Sequence, residues 1–161
     1  MATLTVWKFS TPTGADETVD RLVELQKQGL VTVQDGAIVH WEHGKKKPKT
    51  RQLHNLAGAA ALNGAFWGML FGFLFFVPLL GAAVGAISGG LAGSLADIGI
   101  DDGFIREIRD RVQPGTSALF LLTSGAVQDR IAAEFAGVET ELIHTNLSDE
   151  DETRLREAFG V

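Results

Sequence analysis

The chain has 161 residues, a net charge of −6 and no cysteine, so it can bury a core of its own but cannot form disulfides or thiolate metal sites. Its net negative charge argues against a role in binding nucleic acids. The charges are unevenly distributed, because none of the 14 Lys and Arg or the 20 Asp and Glu falls between Asn55 and Ala96. Two segments of different physical character are therefore joined in one chain.

Before the uncharged stretch, the sequence predicts strands and a helix in alternation. They are a strand at 3–9, a helix across 19–25 that ends at Gly29, and strands at 30–33 and 37–42. The last two runs are rich in β-branched residues, and Gln34-Asp35-Gly36 between them has the composition of a hairpin turn. The first half is thus a strand, a helix and then one or two strands.

The same alternation returns after the uncharged stretch. Predicted there are a helix at 101–113, a strand at 118–122, a helix at 128–135, a strand at 138–146 and a last helix capped by Ser148. The run 118–122 is continuously apolar, as in a strand covered on both faces. We expect an α+β fold, a ferredoxin-like sandwich whose halves are residues 1–53 and 98–161, interrupted by a helical hairpin at 54–97.

The inserted hairpin consists of two apolar segments, Asn55–Val77 and Leu79–Asp97, separated by Pro78. Proline inside a helix removes a hydrogen bond and clashes with the preceding turn, so the hairpin is expected to turn there. As a helix, the first segment is about 33 Å long and suffices to cross a hydrocarbon core of about 30 Å. The turn has no polar residue, so its tip can also stay within a bilayer or a protein interior.

Small residues recur at every fourth position in both segments and line one stripe on each helix. They are Ala60, Gly64, Gly68 and Gly72 in the first segment and Gly81, Gly85, Gly89 and Gly93 in the second. Such glycine stripes let helix backbones approach closely in lipid, whereas each glycine costs a helix in water about 1 kcal/mol relative to alanine. Three settings stay open: a membrane-embedded hairpin, a soluble oligomer that encloses the hairpins, and a monomer that buries them.

Five basic residues precede the insertion: Lys45, Lys46, Lys47, Lys49 and Arg51. Basic residues beside apolar helices stay on the cytoplasmic side, and each adds about 1 kcal/mol of attraction near anionic lipid. We therefore expect contact with anionic lipid at the inner membrane, with both termini in the cytoplasm. The alternative is a solvated loop with no role in lipid binding.

No catalytic, cofactor-binding or metal-binding site is expected from the sequence. The one metal-like cluster is His40-Trp41-Glu42-His43, and on a strand His40 and His43 point to opposite faces. His144 lies in a predicted strand with no recognisable partner motif. The glycines at 81–93 are not followed by the Lys-Ser/Thr of a phosphate loop, and no spacing marks a nucleophile elbow. An enzyme is therefore the least favoured class.

Several motifs resemble a known protein family. They are Leu-Asn-Gly-Ala-Phe-Trp-Gly at 62–68, Pro-Leu-Leu-Gly-Ala-Ala-Val-Gly at 78–85, Asp-Ile-Gly-Ile-Asp-Asp at 97–102, Pro-Gly-Thr-Ser-Ala-Leu-Phe at 114–120 and the closing helix at 147–159. The sequence is similar to the uncharacterised bacterial family 1269 of domains of unknown function, often labelled membrane proteins. The resemblance covers almost the whole chain and implies the hairpin and a membrane or oligomeric character, but no activity. Val77 departs from it, since a more polar residue is expected before the proline.

These observations predict a non-enzymatic, membrane-associated protein that self-assembles as a homo-oligomer through its glycine stripes. It would carry no cofactor and bind no nucleic acid, and its α/β part would lie in the cytoplasm. The alternative, of a different class, is a soluble homo-oligomeric shell or carrier in the cytoplasm with the apolar hairpins buried in its interior.

Overall fold

The computed structural model describes residues 2–53, 64–76, 100, 102–135, 140–150, 153, 154 and 157. In chain order its elements are β1 (Ala2–Phe9), α1 (Gly14–Lys27), β2 (Asp35–His40), β3 (Lys49–Gln52), α2 (Gly64–Phe71), a π-helical segment (Gly72–Phe76), α3 (Asp102–Arg111), β4 (Ser117–Ser124), α4 (Gly125–Glu134) and β5 (Thr140–Leu147). The expected α+β class is confirmed.

The strands form one five-stranded sheet in the order β3-β2-β4-β1-β5. Every neighbouring pair is antiparallel, and β1 is paired along its whole length with β4 on one side and β5 on the other. The apolar run at 118–122 lies in β4, the middle strand, and all of its side chains are buried. This confirms the prediction of a strand covered on both faces.

One face of the sheet, the α1 face, is covered by α1 and α4. Alternate strand residues point to it, among them Trp7, Ile38 and Leu119, and they pack with Leu22 of α1 and Ile131 of α4. The two helices are also linked across their outer sides by an ion pair of 3.6 Å between Arg21 and Glu134. This face is therefore closed by amphipathic helices whose charges face water.

The other face, the α2 face, is covered by α2, the π-helical segment and α3. The remaining strand residues, such as Val6 and Phe120, pack there against Phe71 of α2 and Ile108 of α3. Gly64–Phe76 is the part of the predicted hairpin that the structure describes, and it is helical as expected. Residues 54–63 and 77–97 of the hairpin lie outside the described residues. Across the described ranges, no helix has the length and apolar character needed to span a membrane.

Two local predictions in the first half are wrong. Residues 30–33 form no strand, because the Val33 N–H donates to Gln26 Oε1 at 2.9 Å instead of to a strand, and the side chains of Val31 and Val33 fill the α1 face. Asp35 and Gly36 belong to β2 and not to a turn. The hairpin at this edge is instead β2 with β3, and β3 was not predicted because its sequence Lys-Thr-Arg-Gln is wholly polar.

Candidate functional site

The connection between β2 and β3 carries the predicted basic residues. Lys45, Lys46, Lys47 and Lys49 are all exposed, and none of them has an acidic partner in the described part of the chain. The base of this connection is fixed by Trp41, whose indole N–H donates to Lys45 O at 2.9 Å. Because these four ammonium groups are exposed and have no acidic partner among the described residues, the four lysines form a positively charged surface, which we call the lysine surface.

A cavity of about 640 Å³ opens at the lysine surface. Its described lining consists of His40, Glu42, Lys45, Lys46, Lys47, Pro48 and Lys49. The lining therefore holds four ammonium groups and one carboxylate. Such a concave site favours anionic groups, and the lysine stems give it apolar walls.

Arg51 behaves differently from the four lysines. Its Nη2 lies 3.1 Å from Asp16 Oδ1, and the same carboxylate places Oδ2 at 3.3 Å from His40 Nδ1. The carboxylate of Asp16 at the start of α1 thus compensates the guanidinium charge. Of the five basic residues predicted to contact lipid, four remain available for an external anion and Arg51 has an internal partner.

The two histidines of the metal-like cluster lie in different surroundings. His40 is the last residue of β2 and contacts Asp16, whereas the ring of His43 packs against Gly115 so closely that any side chain at 115 would collide with it. His144 is in β5, opposite Thr5 in the register of the sheet. Among the residues that the structure describes, no three His, Asp or Glu side chains are grouped so as to hold a metal ion.

Helix α2 and the π-helical segment have two contrasting sides. The sheet side is apolar and buried, and it consists of Phe66, Trp67, Leu70, Phe71, Leu74 and Phe75. The opposite side carries Gly68, which is exposed, and Gly72, which is half-buried. An added Cβ at either glycine would meet no described heavy atom within 4 Å. The aromatic side of this stretch is therefore packed on the sheet, whereas no described atom covers its glycine side at Gly68 and Gly72.

Three of the eight predicted stripe residues fall in this stretch. Gly64 begins α2, Gly68 lies within it, and Gly72 begins the π-helical segment. Ala60, Gly81, Gly85, Gly89 and Gly93 lie outside the described residues. π-Helical turns often accompany functional sites. Here Arg109 of α3 supports the turn, because its Nε donates to Leu74 O at 3.3 Å.

A buried carboxylate, not singled out from the sequence, fastens α2 to the sheet. Asp35 is fully buried, and its Oδ2 accepts hydrogen bonds from Trp67 Nε1 at 2.9 Å and Gln52 Nε2 at 3.2 Å. Its Oδ1 accepts the Gly36 N–H at 2.8 Å. We call this group the Asp35 latch. In the sequence, Asp35 followed by Gly36 is typical of a turn. That pattern does not indicate a buried carboxylate that contacts Trp67.

A family model described as "Protein of unknown function (DUF1269)" matches residues 61–160. The matched range contains α2, the π-helical segment, α3, β4, α4 and β5, and it begins after the lysine surface. No curated protein and no solved structure is significantly similar to the chain.

Proposed function

Since the chain belongs to the DUF1269 family, whose description names no activity, we propose its function from its surfaces: a non-enzymatic, membrane-associated protein that self-assembles through its glycine stripes. The observation that carries the proposal is the two-sided character of α2. Its aromatic side is buried on the sheet, and its glycine side is uncharged and open among the described residues.

The open glycine side is suited to a second helix. Glycine in a helix costs about 1 kcal/mol relative to alanine, so a repeat at fixed spacing is expected only where the missing side chains are useful. At Gly68 and Gly72 the backbone can be approached directly, since no described atom lies where a Cβ would be. Close backbone approach is how small-residue stripes bring helices together.

The lysine surface supports an association with anionic lipid. Its four ammonium groups have no acidic partner in the described part of the chain, and each can add about 1 kcal/mol of attraction near an anionic leaflet. In this proposal the α/β part lies at the inner membrane on the cytoplasmic side, and both termini are cytoplasmic. The alternative is a solvated connection between β2 and β3 that has no role in lipid binding.

We also interpret the fold as a ferredoxin-like sandwich with an insertion. Without β3, the sheet order is β2-β4-β1-β5, and α1 and α4 cover the same face. The order of elements is then strand, helix, two strands, helix and strand, which is the βαββαβ arrangement. The insertion falls between the second and third strands of that unit and covers the α2 face.

A soluble homo-oligomeric shell or carrier is the second candidate, and one observation favours it. Six apolar side chains of Gly64–Phe76 are buried in the domain's own core, so lipid could reach only the other side of this stretch. In this alternative the hairpins are enclosed between subunits, and the protein is found in the cytoplasm.

Cell fractionation without detergent, followed by sizing, tests the proposal. We expect the protein in carbonate-washed membranes, and a discrete soluble particle would replace the membrane proposal with the shell. We further expect Gly68→Leu to reduce the assembly size while Gly68→Ala preserves it, because only small residues allow close helix packing. Ala132→Leu is the matched control, since it adds an exposed leucine to α4. Equal sizes for all variants would contradict assembly through the stripe.

Flotation with vesicles tests the lysine surface separately. The change is Lys→Gln at positions 45, 46, 47 and 49, and we expect it to abolish the preference for vesicles of equal parts phosphatidylcholine and phosphatidylglycerol over vesicles of phosphatidylcholine alone. The control is Lys→Arg at the same four positions, which keeps the charge and should keep the preference. A preference for anionic vesicles that survives in the Gln variant would contradict a role of the lysines in lipid binding.

A further inference from the structure

The two edges of the sheet are built in opposite ways, and the β3 edge is protected against pairing. β3 has only four residues, it carries Lys49 and Arg51, and Pro48 directly precedes it. Short length, positive charge and proline are the features by which proteins keep an edge strand from pairing with another chain. The lysine surface therefore also ends the sheet on this side.

The β5 edge has none of these protective features. It has eight residues, contains no proline and no lysine, and Glu141 is its only charged residue. Within the described part of the chain no strand lies beyond it. An antiparallel edge strand directs every second N–H and C=O pair outward, so β5 offers a regular row of groups for a further strand.

We propose that β5 pairs antiparallel with β5 of a second copy of this chain, joining two five-stranded sheets into one continuous sheet. Pairing of a strand with its own copy is an isologous interface, and exposed edges bind strands in this way. The two-fold axis of such a pair keeps each residue on its own face of the sheet, and pairing centred on His144 places Glu141 opposite a neutral residue, Leu147, and not opposite another charge.

The single charge of β5 is also compensated within its own chain. Glu141 Oε2 lies 3.7 Å from Lys8 Nζ on β1 and 3.9 Å from Arg111 Nη1 on α3. Like charges that face each other across two strands destabilise the pair, and in this register the two copies of Glu141 lie at opposite ends of the paired strands. The β5 edge is thus electrostatically compatible with a copy of itself.

This interface is independent of the glycine stripe and extends the proposed function. The stripe lies on the α2 face, whereas β5 lies at the end of the sheet, so one subunit can use both surfaces at once. Two isologous interfaces on each subunit give assemblies with an even number of subunits. Loss of the stripe should leave a dimer joined by β5.

Cross-linking with introduced cysteines tests the pairing directly, because the chain has none of its own. The variants are Thr145→Cys on β5 and, as the matched control, Thr50→Cys on β3. With a short bismaleimide, we expect covalent dimers from Thr145→Cys and at least tenfold fewer from Thr50→Cys. Equal yields from both edges would overturn the proposal.

Sizing of Gly68→Leu separates the two interfaces. A dimer that still cross-links through Thr145→Cys supports the β5 pairing together with the stripe. An assembly of unchanged size that cross-links through Thr145→Cys supports β5 and removes the stripe. A Gly68→Leu protein that is folded by circular dichroism, monomeric and not cross-linked overturns the β5 pairing. These readings use the full chain in each case.

Discussion

The two faces of the sheet are covered in different ways. On the α1 face, the helices carry exposed charged residues such as Asp20 in α1 and Arg130 in α4. On the α2 face, the stretch Gly64–Phe76 has no charged residue on any side. An amphipathic helix needs to bury only one apolar face, whereas a helix that is apolar on all sides needs to be buried on both sides. We therefore expect a second apolar surface to pack on the outer side of α2.

The inner side of α2 is held by a ladder of aromatic rings. Phe71 is at the centre, stacked on Trp67 at 5.8 Å and on Phe75 at 6.3 Å between ring centroids. It also packs against Phe120 of β4 in a T-shaped arrangement, with 5.1 Å between the ring centroids. Large aromatic side chains contribute more burial per residue than any others, so this ladder anchors the uncharged stretch to the sheet.

The largest expected effect follows from removing the centre of that ladder. We expect Phe71→Ala to lower the free energy of unfolding by about 3–5 kcal/mol, because it leaves a cavity between the helix and β4. Denaturant titration measures the change. The control is Leu30→Ala, since Leu30 is 41% exposed and should change stability by no more than about 0.5 kcal/mol. Similar small losses in both variants would mean that α2 is not packed on the sheet.

A smaller loss is expected from the Asp35 latch. Asp35→Asn keeps the size of the side chain but turns an NH₂ group toward either Trp67 Nε1 or the Gly36 N–H, both of which are donors. Leaving one buried donor unsatisfied costs about 1–3 kcal/mol, so the denaturation midpoint should fall accordingly. Asp20→Asn, on the exposed side of α1, is the control and should change little. An unchanged midpoint in Asp35→Asn would show that the carboxylate does not fasten α2.

Hydrophobic patterns predicted most of the fold correctly. The apolar run of β4 and the periodic apolar positions of α1 and α3 are strong signals, because burial imposes them directly. β3 was missed because a polar edge strand has no such pattern. The run at 30–33 wrongly predicts a strand because β-branched residues are buried in packed loops as well as in strands.

The candidate site could be predicted only in part. The glycine repeat and the lysines are visible as local patterns, and the structure adds that Arg51 has an internal partner and that Asp35 contacts Trp67. These contacts join residues that are far apart in the chain, and one sequence carries no information on such pairs. The sequence also does not predict which side of α2 faces the sheet. A hydrophobic periodicity identifies the buried side of a helix only where polar residues mark the opposite side, and α2 has no such polar positions.

The smallest expected effect concerns a single methyl group on the outer side of α2, and its sign is opposite to that of Phe71→Ala. Gly68 is exposed, and a Cβ there would meet no described heavy atom within 4 Å. Alanine is favoured over glycine within a helix by about 1 kcal/mol. We therefore expect Gly68→Ala to raise the free energy of unfolding by up to that amount when the protein is diluted below its assembly concentration.

The same substitution at Gly115 is the matched control for Gly68→Ala. Gly115 has φ +90°, and an added Cβ would collide with the ring of His43, so Gly115→Ala should lower stability. Denaturant titration over a range of protein concentrations separates the contributions of folding and assembly. If Gly68→Ala loses stability at every concentration, an atom of the same chain must occupy the outer side of α2. Such a result would favour a monomer that buries its own hairpin over both kinds of assembly, because only intramolecular packing is independent of concentration.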